Sequence, residues 1–412
     1  LLPSLCYDVF MKILGIIAEY NPFHNGHEYH LQKSRELTGA DYTIAVMSGN
    51  FTQRGELAIF DKWQRSRAAV ESGVDLVAEL PFVFACNKGE IFARGAVDIL
   101  KGLGVTHISF GSECGDVDEL SRLVRDIDDN INEINDLKDT FMKEGNSFAK
   151  SFQLAVKNVL GKEKSEIMRT PNNILALEYL KRIFYWNKRG HAIRPVTIKR
   201  YGSGYFGKDE NTGFAGATAI RKLMEEDISK AYEYVPSSIE NMISNWDENR
   251  SWKEKAFDIV RSEIIRNDAE NLRKIYCMGE GLEHKFKKEV SRAESLEDLV
   301  YAVVSRRYTE AAVRRILAYI IVGLKDKQPD FDVYARILAA GKAGRDFIRT
   351  AKKTELLQIP LITNVNKISE ENRCIWNTLK YDCTASDMYN IIMGKNLYKF
   401  SDKVVMPYIK VD

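Results

Sequence analysis

Ile16-Ile17-Ala18-Glu19-Tyr20-Asn21-Pro22-Phe23-His24-Asn25-Gly26-His27 changes character twice within twelve residues. Its start completes an apolar, β-branched run, Ile13 to Ala18, short enough for a buried strand. Asn21-Pro22 breaks that run, because proline biases the preceding residue away from the helical region. Beyond Gly26 the pattern turns helical, with Tyr29, Leu31 and Leu37 as candidate core contacts. Strand, turn, histidines and helix, in that order, make a place for phosphates. A helix start offers unpaired N–H groups and a partial positive charge. His24 and His27 on its first turn add donors that can follow charge developing on a phosphate.

Outward from this stretch, short apolar runs alternate with helical segments. Residues 42–47, 74–80 and 105–110 read as strands, and residues 26–37, 61–72 and 88–103 as helices between them. That alternation predicts a parallel, doubly wound sheet, with ligands beyond the carboxyl ends of its strands. The loop from Ser48 to Glu56 falls at such an end and holds Gly49, Arg54 and Gly55. It suits a lid or an anion-facing loop; a plain solvated loop is the alternative. Asp61 is a natural N-cap for the next helix, and its Lys62 and Arg65 either reach a phosphate or form a solvated face. Residues 116–164 are charged and helical, either an insertion or outer helices of the same domain. Pro171-Asn172-Asn173 opens another helix, and residues 194–200 read as a fifth strand, followed by a glycine-rich turn, Tyr201 to Tyr205. Gly216-Ala217-Thr218-Ala219-Ile220-Arg221 then starts a helix with a hydroxyl and an arginine three apart, a second possible phosphate grip. A threonine there is also an ordinary cap.

The alternation stops at Val235-Pro236, and residues 236–355 read as helical, with a short α/β cap over 356–412. Residues 301–353 carry twelve Lys/Arg against five acids, net +7, although the whole chain is only +2. Arginine pairs with Tyr301 and Tyr308 nearby suit a phosphate backbone; a basic surface is the plainer reading. No run approaches the ~18 apolar residues of a membrane-spanning helix. The six cysteines are scattered, without the spacing of a zinc or redox site, which fits reduced thiols. His30 lies three beyond His27, but no further His/Cys/acid spacing completes a metal site. His107, His191 and His284 are isolated. The ten residues before Met11 read as a leader outside the fold.

Resemblance sharpens these readings. A histidine pair in the first strand–helix turn resembles the HxGH signature of the nucleotidyltransferase superfamily. Gly15 to His27, Met47 to Gly55 and Phe110-Gly111-Ser112-Glu113 look more specifically like the bacterial tRNA(Met) cytidine acetate ligase family. Pro171 to Leu175, Ile198-Lys199-Arg200 and the arginines from Arg306 to Arg315 continue the likeness, which runs from Met11 essentially to the C-terminus.

The resemblance implies a Rossmann-like α/β catalytic domain over residues 11–235 and a helical tRNA-binding domain over 236–355. It implies activation of acetate by ATP to acetyl-adenylate with loss of pyrophosphate. The acetyl group then passes to the 4-amino group of the wobble cytidine in elongator tRNA(Met), in the cytoplasm. Residues Ile17 to Asn25, Gly26, His27, Glu28, Tyr29 and His30 would line the ATP site, with His24 and His27 on the phosphates. Gly111 would leave room for the nucleotide, and Asn172 and Arg200 would complete the contacts. Arg306, Arg307, Arg314 and Arg315 would hold tRNA. Magnesium on the phosphates is expected from the chemistry, without identifiable ligands. No membrane and no obligate protein partner is implied. Gly216 departs from the superfamily pattern, standing where a hydroxyl is expected ahead of Thr218 and Arg221. The rival readings are a small-molecule adenylyltransferase and a non-catalytic tRNA-binding protein.

Overall fold

The computed structural model describes residues 11–200, 214–246, 251–325, 331–368 and 372–411. β1 (Ile13–Ala18) lies inside a sheet, parallel to β2 (Tyr42–Ser48) on one side and β4 (His107–Ser112) on the other. Its side chains alternate between two cores, as the pleat requires. Ile13 packs with Ile44, Val46 and Leu100, while Leu14 and Ile16 pack with Leu31, Ala45 and Ala69 on the opposite face.

From β1 the chain passes through α1 (Asn25–Thr38) to β2, and through α2 (Lys62–Glu71) to β3 (Leu76–Leu80). It then crosses back through α3 (Gly89–Gly102) to β4, and β5 (Arg194–Lys199) pairs beyond β4. Strand order therefore reverses between β1 and β4, and a crevice opens there beyond the carboxyl ends of the strands. Between β4 and β5 lie helices Val117–Asp129, Ile131–Lys143 and Phe148–Leu160, followed by α4 (Pro171–Asn187). Leu120, Ile134 and Ala155 join the main core, so these are outer helices of the same body. α5 (Ala217–Glu226) follows. The turn expected at Tyr201 to Tyr205 and the basic residue Lys327 lie outside the described residues.

The helical reading of 236–355 needs correction at its end. α6 (Trp252–Arg266) and α7 (Glu310–Val322) are helices, but β6 (Ala335–Ala340) is a strand buried at every position. It pairs antiparallel with β3. α8 (Lys342–Lys353) and α9 (Arg373–Ile392) follow, and β7 (Leu361–Ile362) and β8 (Tyr408–Ile409) pair with β6. Among the described residues the sheet thus has eight strands, ordered β5-β4-β1-β2-β3-β6-β7 with β8 also on β6. The last segment extends the first sheet and does not form an independent cap.

A buried charge cluster fastens that extension. Lys62 Nζ lies 2.7 Å from Glu79 and 2.8 Å from Asp402; Arg336 Nη1 lies 2.7 Å from Asp402 and 3.1 Å from Glu79. Lys62 therefore neither reaches a phosphate nor lies on a solvated face, and Arg336 is no part of a basic surface. Arg65 is also buried and donates to the carbonyls of Glu19 (2.6 Å), Phe60 (2.9 Å), Ser48 (3.1 Å) and Gly49. It ties the ends of β1 and β2 together. Among the described residues no helix is long and apolar enough to cross a membrane.

Candidate active site

β1 delivers its last residues, Ile17 and Ala18, to the crevice, and the next six make the turn into α1. Tyr20 takes a left-handed backbone conformation, φ 49°, and Asn21-Pro22 is cis. Tyr20 and Phe23 are buried with their rings 4.8 Å apart, and both pack against His27 at 4.9 and 5.6 Å. Asn21 is held from two sides: Oδ1 accepts from the Ile59 amide at 2.9 Å and its carbonyl accepts from Arg221 at 2.9 Å.

His24 is the N-cap residue of α1, but its side chain does not cap the helix. Its ring instead stacks on His27, with centroids 3.6 Å apart and planes 25° from parallel. Gly26 makes this possible, because a Cβ there would sit 3.0 Å from His24 Cε1. The Nδ1 atoms of both rings are buried without a hydrogen-bond partner. Buried polar atoms are normally satisfied, so two such orphans at a helix start call for an incoming group. His30, one turn on, is occupied: Nε2 meets Ser109 Oγ at 3.1 Å, and Ser109 meets Ser34 Oγ at 2.7 Å. Burial, and secondarily the Arg200 guanidinium, lower the pKa of His24 to about 3 and of His30 to about 4. Burial, His24 and Arg200 push His27 well down too. At neutral pH the three rings are uncharged, and His24 and His27 keep an unpartnered nitrogen for an incoming group.

Other expected residues gather around this core. The Arg200 side chain covers Gly111, where a Cβ would lie 2.8 Å from Arg200 Cδ, so Gly111 leaves room first for this arginine. Asn172 and Asn173 start α4, where the Glu113 carboxylate caps the helix. It accepts from Asn172 Nδ2 at 2.7 Å and from the Asn173 amide at 2.8 Å. Asn173 is buried, bonded to the Cys114 amide and the Ile167 carbonyl; Asn172 is half-buried. Gly216 caps α5 without a side chain, and Arg221 bonds Thr218 at 3.2 Å besides Asn21. Asn25 donates to the Glu233 carbonyl at 3.0 Å, and exposed Tyr29 packs on Phe214 at 5.4 Å. Glu28 lies on the first turn of α1.

The Ser48–Glu56 loop is docked. Phe51 bridges Leu57, and the Gln53 amide donates to Glu19 Oε1 at 2.6 Å. The Gln53 side chain donates to the Asn87 carbonyl at 2.7 Å. Gly55 has φ +86° and lies directly against the α7 backbone at Arg314 and Arg315. Arg315 also donates to the Gln53 carbonyl at 3.4 Å. Of the four expected arginines, Arg315 is the one whose side chain bonds this loop. Arg314 pairs with Glu310 at 2.9 Å, Arg306 donates to Asn146 at 2.9 Å, and Arg307 pairs with Glu280. Arg306 and Arg307 are exposed, whereas Arg314 and Arg315 are half-buried. Sequence reasoning missed Arg65, Gln53, Ser109 and Glu113 as organisers. Glu113 in the Gly111-Ser112-Glu113 strand end and Gln53 in the Met47 to Gly55 stretch lie in quoted motifs, and Arg65 reads only as a possible phosphate contact.

Among the described residues no group of three or more His, Cys, Asp or Glu is placed to hold a metal ion. Near the histidines, Glu19 Oε1 accepts from Gln53 and Glu113 caps α4.

A model of the HIGH Nucleotidyl Transferase family matches residues 11–403. The tRNA(Met) cytidine acetate ligase of Thermoanaerobacter sp. (strain X514) is 41% identical over 393 residues, spanning 92% of this chain and 95% of that protein. Its namesake from Clostridium perfringens (strain ATCC 13124) is 36% identical over 422 residues, spanning 97% of this chain and 100% of that one. The crystal structure of Thermotoga maritima TmcAL bound with alpha-thio ATP is similar at TM-score 0.83 and 30% identity, covering 97% of this chain and 99% of that one.

Proposed function

Because the chain belongs to the tRNA(Met) cytidine acetate ligases, within the HIGH nucleotidyltransferase family, we propose that it activates acetate with ATP and acetylates the wobble cytidine of elongator tRNA(Met). The observation that carries this reading is the stacked His24–His27 pair, with two unpartnered buried nitrogens, at the start of α1. Acetate is a poor acyl donor, and an exocyclic aryl-type amine is a weak nucleophile. Adenylation bridges that gap by supplying a good leaving group.

In the first step an acetate oxygen attacks the α-phosphorus of ATP. The bond to the β-phosphate oxygen breaks, and pyrophosphate leaves with the electron pair. This step needs positioning and charge neutralisation more than covalent help. The N-terminus of α1 supplies its dipole and free amides. His24 and His27 supply neutral N–H donors, whose protonation becomes more favourable as negative charge gathers beside them. Arg200 adds a fixed charge, with Asn172, Thr218 and Arg221 at the rim. Glu113 acts one step removed, fixing the start of α4 and with it Asn172. Magnesium, expected from the chemistry, would be carried on the triphosphate and would neutralise its charge.

In the second step the cytidine N4 attacks the acetyl carbon and AMP departs. The basic turn at Arg306–Arg307, with Arg314 and Arg315 on α7, is the proposed tRNA contact. A tRNA acceptor supports a cytoplasmic setting for the proposed reaction. The test supplies purified protein with ATP, labelled acetate and bulk tRNA. Label appearing in tRNA as N4-acetylcytidine, dependent on ATP, is the expected result. No label in tRNA with active controls overturns the reading. Pyrophosphate release driven by a phosphorylated metabolite, and not by acetate, would point to a small-molecule adenylyltransferase.

A further inference from the structure

Glu19 directly follows β1 and precedes the histidine pair, yet its side chain turns the other way. The histidines and Arg200 gather on the β4 side, where His30 meets Ser109 and Arg200 covers Gly111. Glu19 faces the loop after β2, where Oε1 accepts from the Gln53 amide at 2.6 Å. Gln53 in turn receives Arg315 of α7 on its carbonyl. The carboxylate therefore sits between the phosphate cradle and the helical half of the molecule.

Its second oxygen is the unusual one. Among the described residues Oε2 makes no hydrogen bond, and Glu19 forms no ion pair, although Arg65 and Arg221 both lie nearby. Arg65 is spent on backbone carbonyls, and Arg221 on Asn21, Thr218 and Glu56. Nor is Oε2 sealed in as a buried orphan. One oxygen is pinned and the other is without a hydrogen-bond partner yet reached by solvent.

We propose that Glu19 is the catalytic carboxylate for acyl transfer, its Oε2 accepting a hydrogen bond from the 4-amino group of cytidine and then taking the proton which that group loses. This rests on the functional reading above. A carboxylate is the natural acceptor for the cytosine N4 donor. The step balances. The N4 lone pair forms the bond to the acetyl carbon, and the bond from that carbon to the phosphate oxygen breaks. AMP leaves with the electron pair, and one N4 proton passes to Glu19, which later returns it to water.

The electrostatics agree. Burial raises the Glu19 carboxyl above its usual range, making it a better base. The Gln53 amide, Arg65 of α2 and Arg221 of α5 oppose that rise, and Glu56 of the loop adds to it. Tyr179 of α4 and Cys86 face the same carboxylate, both with pKa values raised by burial.

Glu19→Gln tests the proposal, because glutamine keeps an oxygen for the Gln53 amide while losing the base. Acetate-dependent ATP–pyrophosphate exchange reads activation, and single-turnover transfer from preformed acetyl-adenylate to tRNA reads the second step. The expected split is a fall of about 100-fold or more in transfer, the scale of general-base catalysis, against a much smaller fall in exchange. Wild-type transfer rises with pH through the Glu19 titration, and E19Q loses that limb. Equal losses in both steps, or transfer at the wild-type rate with the pH limb intact, overturns the proposal alone. No labelled tRNA even with the wild-type protein overturns the functional reading, and this proposal with it.

Discussion

Replacing Asp402 by alanine removes one of two carboxylates from a closed cluster of four charges. In the intact cluster Lys62 and Arg336 each contact both Glu79 and Asp402, at 2.7 to 3.1 Å, and all four side chains are at most 3% exposed. Burial alone would raise the Asp402 carboxyl, but Arg336 and Lys62 more than offset it, holding its pKa at about 2. Without Asp402, Lys62 and Arg336 share the Glu79 carboxylate, with only Asp382, whose pKa is raised to about 7, as a further acid beside them. Breaking a buried pair in this way costs ~3–5 kcal/mol, against a typical total stability of ~5–15 kcal/mol. The additional removal of Lys62, as Lys62→Met/Asp402→Ala, restores neutrality with the Arg336–Glu79 pair intact. Such coupled sites show interaction energies of ~0.5–3 kcal/mol. The double variant should therefore be more stable than the sum of the two single losses. Equilibrium urea unfolding, followed by tryptophan fluorescence and far-UV circular dichroism, gives the midpoints to compare at a common slope. An Asp402→Ala loss under ~0.5 kcal/mol, or strictly additive single losses, would refute the charge argument.

Four further outcomes are expected. His27→Ala should lower acetyl-adenylate formation by about 10²–10³-fold, as for loss of a donor to developing charge, while tRNA binding in a filter assay survives; unchanged pyrophosphate exchange would remove His27 from the mechanism. Arg306→Ala/Arg307→Ala should weaken tRNA binding and reduce the log–log salt slope by about one to two, and an unaltered slope would move the RNA site elsewhere. Asp382 has its pKa raised to about 7 by burial and by Glu79, from 3.8. Its contribution to stability is thus present below 3.8 and lost as pH rises through about 7. Asp382→Asn should flatten the stability–pH curve across that window, and an unchanged curve would contradict the assignment. Gly55→Ala must place a Cβ against the α7 backbone at a left-handed position. It should cost at least ~1–2 kcal/mol in thermal or urea unfolding, with wild-type stability counting against tight docking.

What could be read in advance was whatever the chain states locally. The β-branched run at 13–18, the Asn-Pro break and the glycine between two histidines announce β1, the turn and α1 within a few residues. The same holds for β2 and β4, whose apolar runs need no distant partner to be recognised, and for β5, legible from its Val-Thr-Ile centre. β6 was missed because Ala-Arg-Ile-Leu-Ala-Ala has a helix former at both ends and a charge inside. Its strand state is set by pairing with β3, some 250 residues away. Lys62 and Arg65 were misplaced for a related reason. A cation near a phosphate-binding turn is legible, but the carboxylate at Asp402 that buries Lys62 is not. The histidines could be named from sequence, but their stacking and unpartnered nitrogens could not.

The Ser48–Glu56 loop changes how the two halves of the reaction relate. As a lid it would open and close over the adenylate. The contacts at Glu19, Asn87 and Arg315, with Gly55 against α7, hold it in place instead. An exposed anhydride in water is wasteful, so a fixed loop leaves the incoming acceptor as the natural cover. One rigid piece then touches both the residue that follows β1 and the helix proposed to hold RNA. A displacement of α7 by bound tRNA would be felt at Gln53, and through its amide at Glu19. If α7 holds the RNA and Glu19 serves the transfer, as proposed, the two would be linked through Gln53 without any moving lid.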